Sequence, residues 1–129
     1  MAFQQLTLIV VDGVFAVCRL EPDAPMPPWA TAGNFFSITR TTEELSIVCR
    51  QDAAPEGINC ERGWRCLRVA GAMPFSVVGV VASLTAPLAE AGISVFAVST
   101  FDTDYLLVKE SQLAKALNVL RRAGHLITK

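Results

Sequence analysis

The distribution of apolar and polar positions along the first half of the chain predicts β-strands. Short apolar runs rich in β-branched residues alternate with polar or proline-containing segments, a pattern typical of strands and turns. Asp12-Gly13 lies between two such runs, and because this dipeptide favours tight turns it predicts a hairpin. One helical turn is expected at residues 29–32. The expected strands cover residues 6–11, 14–20, 35–40 and 45–50.

The second half combines strands with two helices. It follows a polar segment, residues 51–63, which is expected to form a loop. Apolar residues then recur at helical spacing within residues 75–91 and 112–123, which predicts two amphipathic helices. Strands are expected at residues 64–69, 93–99, 105–109 and 125–128. The order β-α-β-β-α-β predicts an α+β fold of the ferredoxin-like type.

Three residues should shape the first of these helices. Ser76 is a candidate N-cap, and Gly92 is expected to end the helix in a left-handed conformation. Pro87 has no amide hydrogen, so it should leave the carbonyl of Ser83 without its helical partner.

An internal repeat relates the two halves. Residues 36–48 align without gaps with residues 96–108, which matches Phe36 with Phe96. Residues 15–25 align in the same way with residues 64–74. The first half therefore resembles a reduced copy of the second, and the predicted domains are 1–62 and 63–129. Chance similarity between β-hairpins is the alternative explanation.

Composition narrows the class of protein. Of the 129 residues, 52% are hydrophobic and 18% are charged, which favours an ordered chain with a substantial core. The formal net charge of −1 offers no electrostatic attraction for nucleic acid. Residues 69–89 carry no charge, but their prolines, glycines and hydroxyl residues argue against a membrane span. We expect a cytoplasmic protein with no nucleic-acid or membrane partner.

The four cysteines leave two interpretations open. Cys18, Cys49, Cys60 and Cys66 could form two disulfides, or they could remain reduced thiols in a cytosolic protein. The spacing of Cys60 and Cys66 does not match a zinc site, and the sequence contains one histidine. Reduced thiols are the expectation, with neither a metal nor a cofactor.

The segment VSTFDTDYLLV, residues 98–108, carries the candidate chemistry. As a metal loop it lacks the further oxygen ligands that calcium needs, and no nucleophile with a base partner accompanies it. Asp102 and Asp104 could simply form a turn. Alternatively, Asp104 could bind an ammonium group and Phe101 an apolar side chain, while helix N-terminal amides near residues 72–78 bind a carboxylate. Together these groups describe a site for an α-amino acid.

The segment MPFSVVGVVASLTAPLAEAGISVFAVSTFDTDYLLVKESQLAKAL resembles the ACT domain of the CASTOR-type and aspartate-kinase-like regulators. The resemblance extends, more weakly, over the first half. It implies two ferredoxin-like ACT units, of which the N-terminal one is reduced. Such units are regulatory modules without catalytic residues, and they bind amino acids at interfaces between ACT units. Carried over from the arginine-sensing relatives, the ligand-binding positions are Pro74, Val77, Val78, Thr100, Phe101 and Asp104.

One departure from that family bears on the ligand. The arginine sensor has an acidic side chain in the first loop, where this sequence has Ser76-Val77-Val78. The resemblance therefore implies a ligand that is smaller or less basic than arginine.

Two functions of different class follow from the sequence. The first is a regulatory protein that senses an amino acid and acts on a protein partner. The second is a structural or adaptor ACT pair that mediates protein assembly and binds no small ligand; a small enzyme ranks third. Residues 93–101 carry no charge, and exposed strand edges invite pairing, so a homodimer is expected. The alternative is that the two halves of one chain cover each other.

Overall fold

The structure is a computed structural model that describes residues 5–71 and 79–129. The chain forms two compact units. The larger unit comprises residues 1–12 and 65–129, and the smaller unit comprises residues 13–64. Strands β1 (Thr7–Leu20) and β4 (Asn59–Val69) each contribute residues to both units.

The larger unit has the predicted β-α-β-β-α-β order, which confirms the α+β, ferredoxin-like fold. Within it the strands lie in the order β7-β1-β4-β6-β5. A 3-10 turn, Glu110–Gln112, leads into the second helix. The elements that follow β4 are α1 (Val80–Glu90), β5 (Phe96–Ser99), β6 (Asp104–Lys109), α2 (Leu113–Arg122) and β7 (Leu126–Thr128).

The helices cover the sheet of the larger unit because their apolar residues recur every three or four positions. The predicted inward face of α2 is confirmed: Ala116 and Leu120 are buried, and Leu113 and Leu117 pack beside them. The buried core of this unit comprises Leu6, Leu8, Leu67, Val69, Val80, Leu84, Leu88, Ile93, Leu106, Val108, Ala116 and Leu120.

Pro87 lies within α1, so the Ser83 carbonyl has no amide of residue 87 to bond to, as predicted. The side chain of a histidine, His125, lies beside that carbonyl instead. The ring of His125 is buried, with 2% of its surface exposed. Its Nε2 atom lies 3.2 Å from the Ser83 oxygen, and its Nδ1 atom accepts a hydrogen bond from the amide of Leu6 at 3.1 Å. Because Nδ1 accepts, the proton of the neutral ring is on Nε2, which donates to Ser83. His125 thus replaces the amide that proline lacks.

The described part of α1 begins later than the predicted helix. Gly79 is its N-cap, with φ of 82°, and Gly92 follows the helix with φ of 76°. The predicted cap Ser76 and the predicted first turn, residues 75–78, lie outside the described residues.

The smaller unit is built on strands that pair in the order β2-β3-β1, with the first part of β4 beside β1. Strands β2 (Ser37–Arg40) and β3 (Leu45–Arg50) form the predicted antiparallel hairpin. The helical turn expected near residue 29 is a 3-10 turn, Pro28–Thr31, and a second one spans Gln51–Ala53. The buried core of the smaller unit comprises Ala16, Cys18, Ala30, Leu45, Ile47, Cys49 and Ala54.

The predicted hairpin at Asp12-Gly13 is wrong, because β1 runs through this dipeptide without a turn. A hairpin requires the two flanking segments to pair with each other, and here each has another partner. Residues 7–9 pair in parallel with β7, whereas residues 15–20 pair antiparallel with β3. Gly13 adopts a φ of 105°, which a glycine tolerates within the strand.

The two compact units also divide the chain at other residues than the predicted domains do, because the division falls within β1. The expected boundary assigned residues 1–62 to one domain, whereas residues 5–12 belong to the same compact unit as residues 65–129. The reason is the pairing of Thr7 with Leu126 and a hydrogen bond of 2.8 Å from the Ala70 amide to the Thr7 carbonyl.

Strand β4 begins five residues earlier than expected. Residues 59–63 were assigned to a loop because they are polar, but they continue the strand. Side-chain hydrogen bonds hold this end of β4: Arg62 donates to the carbonyls of Gln51, Ala54 and Pro55.

The expectation of four reduced cysteines is also wrong. Cys18 and Cys60 form a disulfide, while Cys49 and Cys66 are buried free thiols. The two bonded residues are 42 positions apart, so no local spacing indicates the pair. Because β1 and β4 are neighbouring strands, the Cα atoms of Cys18 and Cys60 lie 4.1 Å apart.

The two hairpins of the proposed repeat share their topology but not the predicted register. Arg40 pairs with Leu45 before one four-residue turn, and Ser99 pairs with Asp104 before the other. This equivalence matches Ser37, not Phe36, with Phe96. The predicted equivalence of Phe36 and Phe96 is therefore wrong by one residue, a shift that reverses the face of each side chain. That the halves are two ACT-like units stays a prediction.

No helix within residues 5–71 and 79–129 is both long enough and apolar enough to cross a membrane.

Candidate functional site

The turn between β5 and β6 is held by hydrogen bonds among its own residues. The amide of Thr100 donates to the Thr103 carbonyl at 2.8 Å, and the Thr100 hydroxyl donates to the same oxygen at 3.1 Å. The amide of Thr103 donates back to the Thr100 hydroxyl at 3.2 Å. The predicted site residue Thr100 therefore gives the turn its shape.

A second hydroxyl attaches this turn to the neighbouring strand. Thr103 is buried, and its Oγ1 donates to the carbonyl of Val69 at 2.7 Å. Val69 is the last residue of β4, from which the chain leaves towards α1. The bond therefore holds the β5–β6 turn beside the start of the connection between β4 and α1.

Asp104 places a carboxylate on the helix-covered side of the sheet. Alternate residues of a strand share a face, and Leu106 and Val108 on the same strand belong to the core beneath the helices. Asp104 is partly buried, and its Oδ1 accepts a hydrogen bond from the hydroxyl of Ser99, its partner across the strands. This bond orients the carboxylate at the start of β6.

Phe101 occupies the tip of the turn, with 78% of its surface exposed. Asp102 beside it is also exposed. The exposed ring provides an apolar surface within three residues of Asp104.

The structure therefore places half of the predicted site residues together. Thr100 and Phe101 lie in the four-residue turn, and Asp104 follows it as the first residue of β6. Pro74, Val77 and Val78 lie outside the described residues. The roles of Ser99 and Thr103 were not predicted, although both are hydroxyl residues adjoining the predicted positions.

Gly79 is the N-cap of the described part of α1, and it makes no side-chain hydrogen bond. Within residues 5–71 and 79–129, no atom lies within 4 Å of a Cβ atom added at Gly79. Gly79 has a positive φ, a conformation that glycine adopts readily.

The two buried free thiols, Cys49 and Cys66, are protonated, which disfavours nucleophilic chemistry. Burial raises the pKa of the Cys66 thiol to about 12 and raises that of Cys49 as well, so both are protonated at neutral pH. Among residues 5–71 and 79–129, no group of three or more histidine, cysteine or acidic side chains could hold a metal ion.

The smaller unit repeats the design of the turn. The amide of Thr41 donates to the Glu44 carbonyl at 2.9 Å, and the amide of Glu44 donates to the Thr41 hydroxyl at 3.2 Å. Here an arginine side chain holds the turn: Arg19 donates to the Glu43 carbonyl at 2.9 Å. The two turns thus share their internal bonds and differ in what anchors them.

Comparison with known proteins identifies both parts of the chain. Residues 59–122 match the model of the ACT domain, and residues 13–57 match a model that describes an N-terminal domain. The cytosolic arginine sensor for mTORC1 subunit 1 of Pongo abelii is 40% identical over 122 residues, which are 88% of this chain and 37% of that protein. The chain spans about a third of the length of that relative.

Solved structures agree with this result. Protein Atu0741 from Agobacterium tumefaciens is 40% identical, with a TM-score of 0.93 over 98% of this chain and 94% of that one. The regulatory subunit of aspartate kinase from Thermus thermophilus shares the fold, with a TM-score of 0.61 and 12% identity over 87% of this chain and 93% of that one. Its match to the ACT model and its similarity to these relatives show that the chain belongs to the ACT-domain family.

Proposed function

We propose that this chain is a non-catalytic regulatory protein that senses an amino acid at the β5–β6 turn of the larger unit. The observation that carries the proposal is the Asp104 carboxylate, partly buried and oriented by Ser99 at the end of a strand. A carboxylate held in this way is a ready partner for an ammonium group, because it need not be ordered when the ligand arrives.

The family relationship supports an amino-acid ligand. One relative is named as a cytosolic arginine sensor, and one neighbour in fold is the regulatory subunit of aspartate kinase. We infer a ligand smaller or less basic than arginine, since residues 76–78 supply no acid for a guanidinium group.

In the proposed site each position has a separate role. Asp104 binds the ammonium group, and Phe101 covers the apolar part of the ligand. Thr100 keeps the turn in shape, and Pro74, Val77 and Val78 are the remaining proposed ligand-binding positions. The N-terminal amides of α1, which Gly79 leaves without a side-chain cap, are the proposed partner of the ligand carboxylate.

The direct test is a thermal-shift screen against the common amino acids, followed by calorimetry with any amino acid that raises the melting temperature. Asp104→Asn should weaken binding of that amino acid by roughly 1.5–3 kcal/mol, about 10- to 150-fold, because it removes a charged hydrogen-bond acceptor. The fold should be unaffected, since asparagine has nearly the same shape.

Asp102→Asn is the matched control. It removes the same charge two residues away, from an exposed position in the same turn. Its affinity should remain within about twofold of the parent, since exposed charges contribute little. Equal affinity in Asp104→Asn and the parent would contradict the assignment of the ammonium partner.

The adaptor function predicts a different outcome. The hydrogen bonds of Thr100 and Thr103 explain a polar turn without any ligand. If no amino acid alters the melting temperature, the chain is better described as an ACT pair that mediates protein assembly.

The proposal extends to assembly and location. We infer a cytoplasmic homodimer that binds its ligand at an interface between ACT units, and whose output passes to a protein partner. Strand β5 ends the order of strands in the larger unit and bears no charged residue, so it is suited to pairing with a second copy. Light scattering at micromolar concentration should give twice the mass of one chain; a single-chain mass at high concentration would exclude the dimer.

A further inference from the structure

Three of the four cysteines meet in the core of the smaller unit. Cys18 lies on β1, Cys49 on β3 and Cys60 on β4, and all three belong to one cluster of packed side chains. Cys18 and Cys60 are joined, and Cys49 is a free thiol. We propose that the Cys18–Cys60 pair is a reversible two-electron redox site, which a small thiol opens by attacking the sulfur of Cys60.

The direction of attack is inferred from the exposure of the two cysteine residues. Cys18 is almost completely buried, with 1% of its surface exposed, whereas Cys60 is only partly buried. Cys60 is the second residue of β4, between the exposed residues Asn59 and Glu61. Thiol–disulfide exchange needs access to the sulfur that is attacked, so Cys60 is the entry point.

The third cysteine does not compete for the bond. In the pairing of β1 with β3, Cys49 stands opposite Ala16, and Cys18 stands opposite Ile47, so Cys49 and Cys18 are diagonal neighbours. Burial raises the pKa of the Cys49 thiol, although the nearby Arg62 lowers it, so the thiolate that exchange requires is scarce. The disulfide therefore remains between Cys18 and Cys60.

The exchange balances as two successive displacements. A thiolate of the reductant attacks the Cys60 sulfur, the bond to Cys18 breaks, and Cys18 leaves as a thiolate that takes up a proton. A second thiolate then attacks the mixed disulfide at the reductant's sulfur, which releases Cys60 as a thiolate that is also protonated. The protein gains two electrons and two protons, and two molecules of the reductant become one disulfide.

Opening the bond should change the stability of the smaller unit. The cross-link spans a separation of 42 residues that includes β2, β3 and the two 3-10 turns Pro28–Thr31 and Gln51–Ala53. Because a cross-link of this length restricts the unfolded chain, its reduction should lower the melting temperature by roughly 10 °C.

The test equilibrates the native protein in buffers of reduced and oxidised glutathione, stops exchange with acid, and alkylates the denatured chain for mass spectrometry. As the reduced form increases, the number of alkylated cysteines should rise from two to four, and the melting temperature should fall with it. In the oxidised protein, peptide mapping should find Cys18 joined to Cys60.

Two variants isolate the site. Cys60→Ser should show three alkylated cysteines at every ratio and a melting temperature independent of glutathione. Cys49→Ser should keep the redox response, and its number of alkylated cysteines should rise from one to three as the reduced form increases. Two alkylated cysteines at the highest reduced ratio would mean a permanent cross-link, and four in fully oxidised buffer would mean no bond. Either result in the parent protein overturns the proposal, even if a variant fails to fold.

Discussion

The two hydrogen bonds of His125 make a prediction that can be worked out from the structure. His125→Phe keeps a ring of similar size but removes both ring nitrogens. The amide of Leu6 loses its acceptor and the carbonyl of Ser83 loses its donor. A buried polar group left without a partner costs about 1–3 kcal/mol, so the two together should cost roughly 2–6 kcal/mol.

Two milder variants separate these contributions. In His125→Asn the side-chain oxygen can replace Nδ1 as the acceptor for Leu6, and in His125→Gln the longer amide can replace Nε2 as the donor to Ser83. Each should lose about half as much stability as His125→Phe. Urea unfolding at neutral pH measures the loss as a lower midpoint at constant slope.

Pro87 provides the internal check. Pro87→Ala restores an amide hydrogen at the position from which a helix normally donates to Ser83. In that background His125→Phe should cost about 1–2 kcal/mol less than in the parent, because the carbonyl has a second donor. An equal cost in both backgrounds would refute the idea that His125 replaces the missing amide, and a cost below about 0.5 kcal/mol in the parent would refute the importance of both bonds.

Two further predictions concern Cys66 and Thr103. The pKa of Cys66 is raised to about 12 in the folded chain, so its contribution to stability is complete below the unfolded value near 9 and is lost as the pH rises towards 12. Urea midpoints measured between these pH values should therefore fall less steeply for Cys66→Ala than for the parent, and parallel curves would contradict this. Thr103→Val removes the donor to Val69 and should cost about 1–2 kcal/mol in the same assay, whereas the exposed Thr128→Val should change stability by less than about 0.5 kcal/mol.

The candidate site could be located from the sequence only in part. The segment VSTFDTDYLLV brings Thr100, Phe101 and Asp104 together at one turn, because residues so close in sequence stay close in a hairpin. The bond from Thr103 to Val69 joins residues 34 positions apart, and the side of the sheet on which Asp104 lies depends on which face the helices cover. The orientation of the carboxylate depends on Ser99, its partner across the two strands.

The sequence by itself determined the order of elements in the larger unit. Strand β6, helix α2 and the β5–β6 turn depend on the periodicity of neighbouring side chains, which is a local property. The helix α2 was predicted within one residue of its observed bounds, because Leu113, Leu117 and Leu120 recur on one face.

Only the tertiary structure decided the partners of these elements. Asp12-Gly13 has the local character of a hairpin turn, yet β1 continues through it because β7 and β3 pair with its two ends. Cys18 and Cys60 meet because β1 and β4 are neighbours, and His125 bonds to Leu6 across 119 positions. Such contacts join residues far apart in sequence. Hydrophobic periodicity is a local property, so it does not indicate which distant strand or carbonyl a residue will contact.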